Sequence, residues 1–496
     1  HLGSSRCASS NAAAAMPAKK RAAPMGATPW QGSGGVQSLP EFCEFAGVDA
    51  ASLPELGSGE CLHQELDRGR AFARLRRQLI SACCLNGQPR YPSMAFERWW
   101  YSARGCAADS ERDPLLPAHV RPDDPTLISD LRGVGFDDAR AQEITRELAS
   151  SASRSASSSR RLAPGVPRAT AKAKANGEVE LSCAALGARL LLAADTYAKL
   201  KALHAAHRSA RGCAPPLELA ALSMSLRYQA LGGGGFQLAL PSAAFRVLAS
   251  DFGVRAECFA SPLNCWFGRY CSAFPDCDAA FGSLGSFFDF QPRRGAFEAN
   301  PPFAPAMLAR MRGHIHALLK GAAGPLSFVV ALANWSHSEV TKLRTSPYLR
   351  ALLTVPQDQQ RWLDGAVARR APVELLVLVL QNDAAMADPA FAATHRKMQR
   401  LGRSCMGDAA PLGPRKRARE GADAEAGASR LHIEVRGPPV DRARPQGREG
   451  AARKAACGSA PRAGLPPSCR RRTLCRAGAA RRRLGKRTRI ARSAPS

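Results

Sequence analysis

The chain has 496 residues, 45% of them hydrophobic, and a formal net charge of +29. That length leaves room for two or three domains, and the charge favours a polyanionic partner, nucleic acid before membrane. No apolar run reaches transmembrane length, which excludes a membrane-spanning segment, and we expect no membrane partner. The sixteen cysteines include no C-x-x-C pair with nearby histidines, so we expect no metal site.

Both ends of the chain are poor in apolar patterning. Residues 1–38 are mostly Ala, Ser, Gly and Pro, and residues 404–496 hold 23 Lys and Arg against 7 Asp and Glu, a net charge of +16. We expect both ends to be disordered, with a basic tail that adds contacts to RNA phosphates. The tail segment Pro414-Arg415-Lys416-Arg417-Ala418-Arg419 is typical of a nuclear localisation signal, which predicts a nuclear protein.

Apolar periodicity predicts a helical domain over residues 39–149. One helix carries an apolar stripe between 65 and 84, and the next contains Phe96, Trp99 and Trp100. These three aromatic residues have two interpretations. Packing between helices is favoured, and an aromatic surface for RNA bases is the alternative.

Residues 150–177 are rich in Ser, Arg and Ala, which predicts a flexible linker. Residues 178–403 follow with strand and helix patterns of an α/β domain whose core we assign to 255–383. The clearest buried strand is Val373–Leu380, and Ser286–Phe290 also has the pattern of a buried strand.

A second short apolar stretch ends at Asn300-Pro301-Pro302-Phe303. Two prolines cannot continue a strand ladder, so Asn300 should lie at the carboxyl edge of a sheet, where open α/β sheets bind ligands. The Asn300 amide oxygen and the Pro301 carbonyl could accept the two hydrogens of an exocyclic amine, and Phe303 could cover the attached ring. The pattern favours a pocket for adenine with a methyl donor opposite. The alternative is a proline-terminated strand with a capping asparagine.

Six motifs follow one another from residue 257 to 383: ECFASPLNC, YCSAFPD, FGS, FEANPPF, LSF and LQND. Together they resemble the cap-specific adenosine N6-methyltransferases, also called phosphorylated CTD-interacting factors. The resemblance covers roughly residues 90–400 and is strongest from 215 to 383. It implies a Rossmann-like, S-adenosylmethionine-dependent methyltransferase sheet preceded by a helical domain.

The resemblance also implies site residues. The loop after residue 260 would lie beneath the methionine part of S-adenosylmethionine, and a carboxylate would accept from the ribose, a role for which Asp276 and Asp278 are equally suited. The catalytic candidates are Asn300, Pro301, Pro302 and Phe303. The cofactor-binding candidates are Ala260, Ser261, Pro262, Leu263, Asn264, Asp276, Asp278 and Phe281. Trp99, Trp100 and Trp335 are the candidates for contact with the RNA and its cap.

The activity that the resemblance implies is N6-methylation of the cap-adjacent (2'-O-methyl)adenosine in capped RNA polymerase II transcripts. One rival is the same chemistry on an internal RNA adenine, a DNA adenine or a protein glutamine. The other rival is a non-catalytic scaffold that binds RNA or the transcription machinery.

The phosphorylated C-terminal domain of the polymerase is a further partner that the family implies. The family often binds it through a WW module, which needs two well-spaced tryptophans. Trp30 stands alone near the N-terminus, so we expect no such module there.

Overall fold

The computed structural model describes residues 29–32, 36–53, 62–85, 87–104, 113–159, 168–208, 215–232, 237–364, 367–369, 373–406 and 431–436. The predictions of disorder for 1–38 and 404–496 therefore fall largely outside the described residues, as does the basic segment 414–419. The prediction for 404–496 was wrong at residues 432–435, which form a strand that pairs with residues 351–354. Within the described residues, no helix is both long enough and apolar enough to span a bilayer.

Thirteen α-helices and fifteen strands are formed by the described residues. The helices are α1 Leu39–Ala46, α2 Leu62–Ala82, α3 Ala95–Arg104, α4 Pro125–Gly133, α5 Asp138–Ser159, α6 Ala194–Arg208, α7 Leu217–Leu231, α8 Ser242–Phe252, α9 Pro275–Asp278, α10 Pro305–Gly321, α11 Ser338–Arg344, α12 Asp383–Ala387 and α13 His395–Cys405. The strands are β1 Cys84–Leu85, β2 Gln88–Pro89, β3 Thr170–Ala173, β4 Glu178–Cys183, β5 Ala188–Ala193, β6 Leu238–Ala239, β7 Val254–Ala260, β8 Tyr270–Ser272, β9 Gly295–Ala299, β10 Leu326–Ala333, β11 Leu349–Val355, β12 Trp362–Asp364, β13 Val367–Arg369, β14 Leu375–Gln381 and β15 His432–Val435.

A mixed seven-stranded sheet forms the centre of the α/β region, in the order β8–β7–β9–β10–β14–β11–β15. Strands β8, β7, β9 and β10 run parallel, whereas β14 is antiparallel to both of its neighbours, β10 and β11. Every residue of β9, β10, β11 and β14 is buried, because helices cover both faces of the sheet. The prediction of a buried strand near 373–380 is confirmed.

The two faces of the sheet bury separate apolar clusters. On one face, Phe297 and Phe328 pack with residues of α1, α10 and α11. On the other face, Ala296 and Val329 pack with residues of α8 and α13. Because successive strand residues point to opposite faces, this alternation follows from the strand geometry. The architecture is compatible with a methyltransferase fold.

A third cluster joins the N-terminal helices to the sheet edge. It includes Phe72 of α2, Trp100 of α3, Leu181 of β4 and Phe281, which lies just after α9. Residues on both sides of the predicted domain boundary at 178 thus share one core. Helix α1 is not part of this cluster and packs against the large sheet instead. The ring centroids of its Phe42 and of Phe290 are 6.3 Å apart.

The prediction of a linker over 150–177 was wrong for part of its length. Helix α5 continues to Ser159, with Ala152 fully buried, and β3 forms at residues 170–173. Several of the serines that indicated a linker donate their hydroxyls to carbonyls four residues earlier, as Ser150 does to Arg146 and Ser155 does to Ser151. Those bonds let serine remain within a helix. Residues 160–167 lie outside the described residues.

The prediction of a buried strand over Ser286–Phe290 was also wrong. The segment is a turn in which the Ser286 carbonyl accepts from the amides of Asp289 and Phe290, and the Ser286 hydroxyl accepts from the amide of Phe288 at 3.2 Å. Phe287 and Phe290 are buried, whereas Phe288 is only half-buried. The serine gives the backbone a local alternative to strand pairing.

Candidate active site

A cavity of about 780 Å³ opens at the carboxyl ends of the parallel strands β7, β8, β9 and β10. Its lining combines residues at these strand ends with residues of α3, α10 and the small sheet formed by β6, β12 and β13. The lining residues taken up below are Arg98, Tyr101, Tyr228, Gln237, Leu238, Ala260, Ser261, Asn264, Asp276, Phe288, Asn300, Pro301, Pro302, Phe303, Arg310, Trp335, Gln360 and Trp362.

Asn300 follows β9 directly, as expected from the two prolines that end the strand. Its Nδ2 donates to the carbonyl of Leu238 at 3.2 Å, so strand β6 holds the amide in one orientation. This bond uses the amide nitrogen and leaves the amide oxygen to accept from a donor in the cavity. The Pro302 carbonyl accepts from Ala304, and α10 begins at Pro305, so the loop is fixed at both ends.

Phe303 lies between two tryptophans that meet it edge-on. The ring centroids are 6.3 Å apart for Trp335 and 6.5 Å apart for Trp362, with interplanar angles of 63° and 80°. Trp362 is itself fixed by the buried Gln360, whose Oε1 accepts from the indole at 2.8 Å. The Trp335 indole nitrogen is buried and has no hydrogen-bond partner among the described residues. Three aromatic rings thus form one wall of the cavity.

The loop after β7 is held by its own polar side chains. Asn264 Oδ1 accepts from the Ser261 amide at 2.7 Å, and Ser261 Oγ lies 2.6 Å from Gln237 Oε1. Ala260, Ser261 and Asn264 line the cavity. Pro262 and Leu263 are buried outside its lining, where the buried Lys199 amine donates to the Leu263 carbonyl at 3.1 Å.

The two aspartates that the sequence could not distinguish have different environments. Asp276 lines the cavity with its side chain 40% exposed, and Arg227 donates to both of its oxygens, at 3.0 and 2.9 Å. Burial opposes ionisation of Asp276, but the Arg227 guanidinium outweighs it and lowers the pKa of this carboxyl. Asp278 is fully buried and accepts from the Tyr228 hydroxyl at 2.6 Å. Of these two aspartates, only Asp276 is therefore accessible to a ligand in the cavity.

Burial raises the pKa of Asp278 to about 7, although hydrogen bonds from Tyr228 and Ser272 oppose the shift. In the unfolded chain this carboxyl ionises near its usual pKa of about 3.9, so between about pH 4 and pH 7 the native state holds the extra proton. The free energy of unfolding should therefore fall as the pH rises through this window. From about pH 5 to pH 7 the loss should be about 2 kcal/mol.

The matched variant is Asp278→Asn, which keeps the shape but cannot ionise. Urea unfolding of both proteins at the two pH values measures the effect. We expect the variant to lose less stability than the parent chain on going to the higher pH. Parallel pH dependences in the two proteins would contradict the assignment.

The favoured interpretation of Trp99 and Trp100, packing between helices, is confirmed, and the alternative of an aromatic surface for RNA is wrong. Both side chains are buried in the core, at 0% and 1% exposure, and the Trp100 indole donates to the Leu115 carbonyl at 2.8 Å. In α3 the spacing of Phe96, Trp99, Trp100 and Ala103 is that of one buried helix face. The opposite face, with Arg98 and Tyr101 among its members, lines the cavity instead.

Other cavity residues were missed by sequence reasoning. Phe288 projects from the turn described above, and the Arg310 guanidinium carbon lies 3.7 Å from its ring centroid. Trp362 and Gln237 belong to short segments without a clear pattern. Phe281, a predicted cofactor residue, is fully buried and packs on His204 with 6.0 Å between ring centroids, outside the cavity lining.

Comparison with known proteins identifies a matching family profile, and the curated relatives include two methyltransferases. Residues 199–365 match a family profile described as the phosphorylated CTD interacting factor 1 WW domain. The chain is 39% identical over 180 residues to the mRNA (2'-O-methyladenosine-N(6)-)-methyltransferases of Homo sapiens and Mus musculus. The chain resembles the cap-specific adenosine N6-methyltransferases.

The alignments cover only part of this chain and of its relatives. The aligned part is 34% of this chain and 25% of either relative, so the chain spans about a quarter of the curated relatives it matches. The family match runs from within α6 to just after β12 and contains Ser261, Asp276, Asn300 and Phe303.

The absence of a WW module around Trp30 stays a prediction. Among the described residues, no group of His, Cys, Asp and Glu could hold a metal ion.

Proposed function

We propose that this protein transfers a methyl group from S-adenosylmethionine to N6 of the cap-adjacent (2'-O-methyl)adenosine of mRNA. The observation that carries the proposal is the common cavity. It brings the Asn300–Phe303 loop together with the end of β7 and with Asp276. The names of the curated relatives support the same substrate.

The strand order supports a Rossmann-like sheet. Along the chain, β8 is added on one side of β7, and the chain then crosses to β9 and β10 on the other side. This is the arrangement of the doubly wound fold around its switch point, where ligands bind outside the carboxyl ends of the strands. Ala260 ends β7 and Asn300 follows β9, so both flank this switch point.

The residues around the end of β7 suit a nucleoside cofactor. Asp276 presents a carboxylate to the cavity, and an acidic residue near this position accepts from ribose hydroxyls in dinucleotide-binding sheets. Phe288 adds an aromatic ring to the lining of the same cavity. S-adenosylmethionine supplies an electrophilic methyl group when bound.

The Asn300 loop would then bind the amine. Hydrogen bonds from the amine to the Asn300 oxygen and the Pro301 carbonyl would localise the nitrogen lone pair that adenine delocalises into its ring. Since the bond to Leu238 fixes the amide, the acceptor is oriented before the substrate arrives. Phe303, braced by Trp335 and Trp362, would hold the ring plane. Positioning then provides most of the catalysis.

Capped RNA polymerase II transcripts are the proposed partner, and a nucleus is the proposed location because of the basic segment 414–419. The phosphorylated polymerase C-terminal domain is a second proposed partner, since the description of the matching family names it. Trp335 is the aromatic candidate for an RNA contact at the cavity, because it lines the cavity beside Phe303.

The decisive experiment measures transfer of labelled methyl groups to two short RNAs that begin with adenosine. One carries a methylguanosine cap and the other a triphosphate. We expect transfer to the capped RNA alone. Equal transfer to both would favour a general adenine methyltransferase. No transfer and no cofactor binding would leave the scaffold interpretation.

Phe303→Ala should weaken RNA methylation because it removes the face on which the base would stack. Stacking contributes about 1–3 kcal/mol per base, which corresponds to a loss of about 5- to 150-fold in kcat/KM for RNA. Phe303→Tyr keeps the ring and should retain most of the activity. Affinity for S-adenosylhomocysteine should not change in either variant, and full activity of the alanine variant would contradict the stacking role.

A further inference from the structure

Arg227 of α7 connects the cavity to the N-terminal helices. Its side chain is fully buried, and it makes two forked pairs. Nε donates to Glu65 Oε2 at 2.6 Å while Nη2 donates to Glu65 Oε1, and Nη1 and Nη2 donate to the two oxygens of Asp276. The guanidinium also lies over Phe274, 5.1 Å from the ring centroid. One planar group thereby fixes both carboxylates.

The charged network extends back through α2. Arg68 donates to Glu65 Oε1 at 2.6 Å and to Asp113 Oδ2 at 2.8 Å. Glu65, Arg68 and Arg227 are all at most 6% exposed, whereas Asp276 faces the cavity. Three carboxylates and two guanidiniums give the network a net charge of −1. Its one ligand-accessible carboxylate is thus held charged by groups that the ligand does not touch.

We infer that Arg227 and Glu65 are positioning residues for the ribose of a nucleoside cofactor. Arg227 orients the two Asp276 oxygens, so that their remaining lone pairs accept from the 2'- and 3'-hydroxyls of the ribose. Glu65 keeps the guanidinium in the plane that this requires. The inference rests on the proposed function, in which Asp276 binds the ribose of S-adenosylmethionine.

The geometry separates this role from simple support of the fold. A buried pair needed only for packing could be one arginine and one carboxylate, yet Arg227 divides its donors between a buried acid and an accessible one. Lysine keeps the positive charge but has no fork, so it cannot hold two carboxylates in fixed planes. Arg227→Lys therefore removes the orientation of Asp276 while it still compensates the charge of Glu65.

The test uses the full chain with two probes, S-adenosylhomocysteine and its analogue that lacks the ribose 2'-hydroxyl. Titration calorimetry gives the dissociation constant of each probe. In the parent chain the missing hydroxyl should weaken binding about 10- to 100-fold, the usual range for a hydrogen bond to a charged group. Asp276→Asn and Arg227→Lys should both reduce this ratio, and the double variant should reduce it no further than Asp276→Asn alone.

Matched controls distinguish positioning from stability. Arg70→Met removes an arginine of α2, the helix that carries Glu65. The ion pair of Arg70 with Asp67 is exposed, at 68% and 69% side-chain exposure, so the ratio should stay at the parent value. Should Arg227→Lys fail to fold, Glu65→Gln permits the same comparison, because it keeps the shape and one acceptor. The ratio does not depend on the fraction of active protein.

Each other result has a definite meaning. If Arg227→Lys binds both probes more weakly by one common factor, Arg227 supports the fold and the positioning role is wrong. If the parent chain binds both probes equally, Asp276 does not contact the 2'-hydroxyl, and the inference fails although the methyltransferase proposal stands. If the parent chain binds neither probe, the proposed cofactor itself is wrong.

Discussion

Asn300→Ala should reduce the rate of methyl transfer by about 10²- to 10³-fold, the usual effect of removing one preorganised polar group from a reacting centre. The variant loses the amide oxygen that would accept from the amine, and it loses the bond to the Leu238 carbonyl that orients this oxygen. A single-turnover assay with saturating RNA and labelled methyl donor measures the effect on chemistry alone. Affinity for S-adenosylhomocysteine should be unaffected, because in the proposed function Asn300 binds the amine and not the cofactor.

Asn300→Asp is the matched variant for the same position. It keeps an acceptor oxygen, but its second oxygen replaces the nitrogen that donates to Leu238, and a carboxylate oxygen is repelled by a carbonyl oxygen. We therefore expect it to be impaired as well. A rate near that of the parent chain in Asn300→Ala, with the protein folded, would refute the amine-binding role.

Trp100→Ala should lower the free energy of unfolding by about 3–5 kcal/mol, the usual cost of truncating a large buried aromatic side chain. The ring packs on Phe72 at 5.8 Å and on Phe274 at 6.3 Å between centroids, so it ties α2 and α3 to the edge of the large sheet. The variant also leaves the Leu115 carbonyl without its indole donor. Urea unfolding measures the loss.

Tyr101→Ala provides the comparison on the same helix, since this neighbour is only half-buried and lines the cavity. It should cost much less stability than Trp100→Ala. Weaker RNA binding by Trp100→Ala with unchanged stability would instead support the alternative interpretation, in which Trp100 belongs to an aromatic surface for RNA.

Parts of the fold were predictable because their signals are local. Strands β10 and β14 are continuous apolar runs, which is the pattern of strands covered on both faces of a sheet. Strand β9 ends before Asn300 because the two prolines that follow cannot continue the hydrogen-bond ladder. The end of α5 was not predictable by composition, because serine looks the same in a linker and in a helix where its hydroxyl bonds to an earlier carbonyl.

The candidate site likewise has parts that local sequence predicts and parts that depend on distant residues. Asn300 and Phe303 share one short loop, so their spacing alone brings them together. The choice between Asp276 and Asp278 depends on Arg227 and Tyr228, about fifty residues earlier in the chain, and no local pattern reports which aspartate meets which partner. Helix periodicity explains why the favoured interpretation of Trp99 and Trp100 as packing residues holds, because their spacing with Phe96 defines the apolar face of α3.

The charged network also has a consequence for how the chain is made on the ribosome. Glu65 meets Arg227 across 162 positions, and Asp276 follows 49 positions later. Until Arg227 has been synthesised, α2 carries two charged side chains that are buried in the finished protein, Glu65 and Arg68. Arg68 lies three residues from Glu65 and pairs with it within the helix. Synthesis can therefore proceed with the acid already neutralised, and each later segment brings the counter-charge for the one before it.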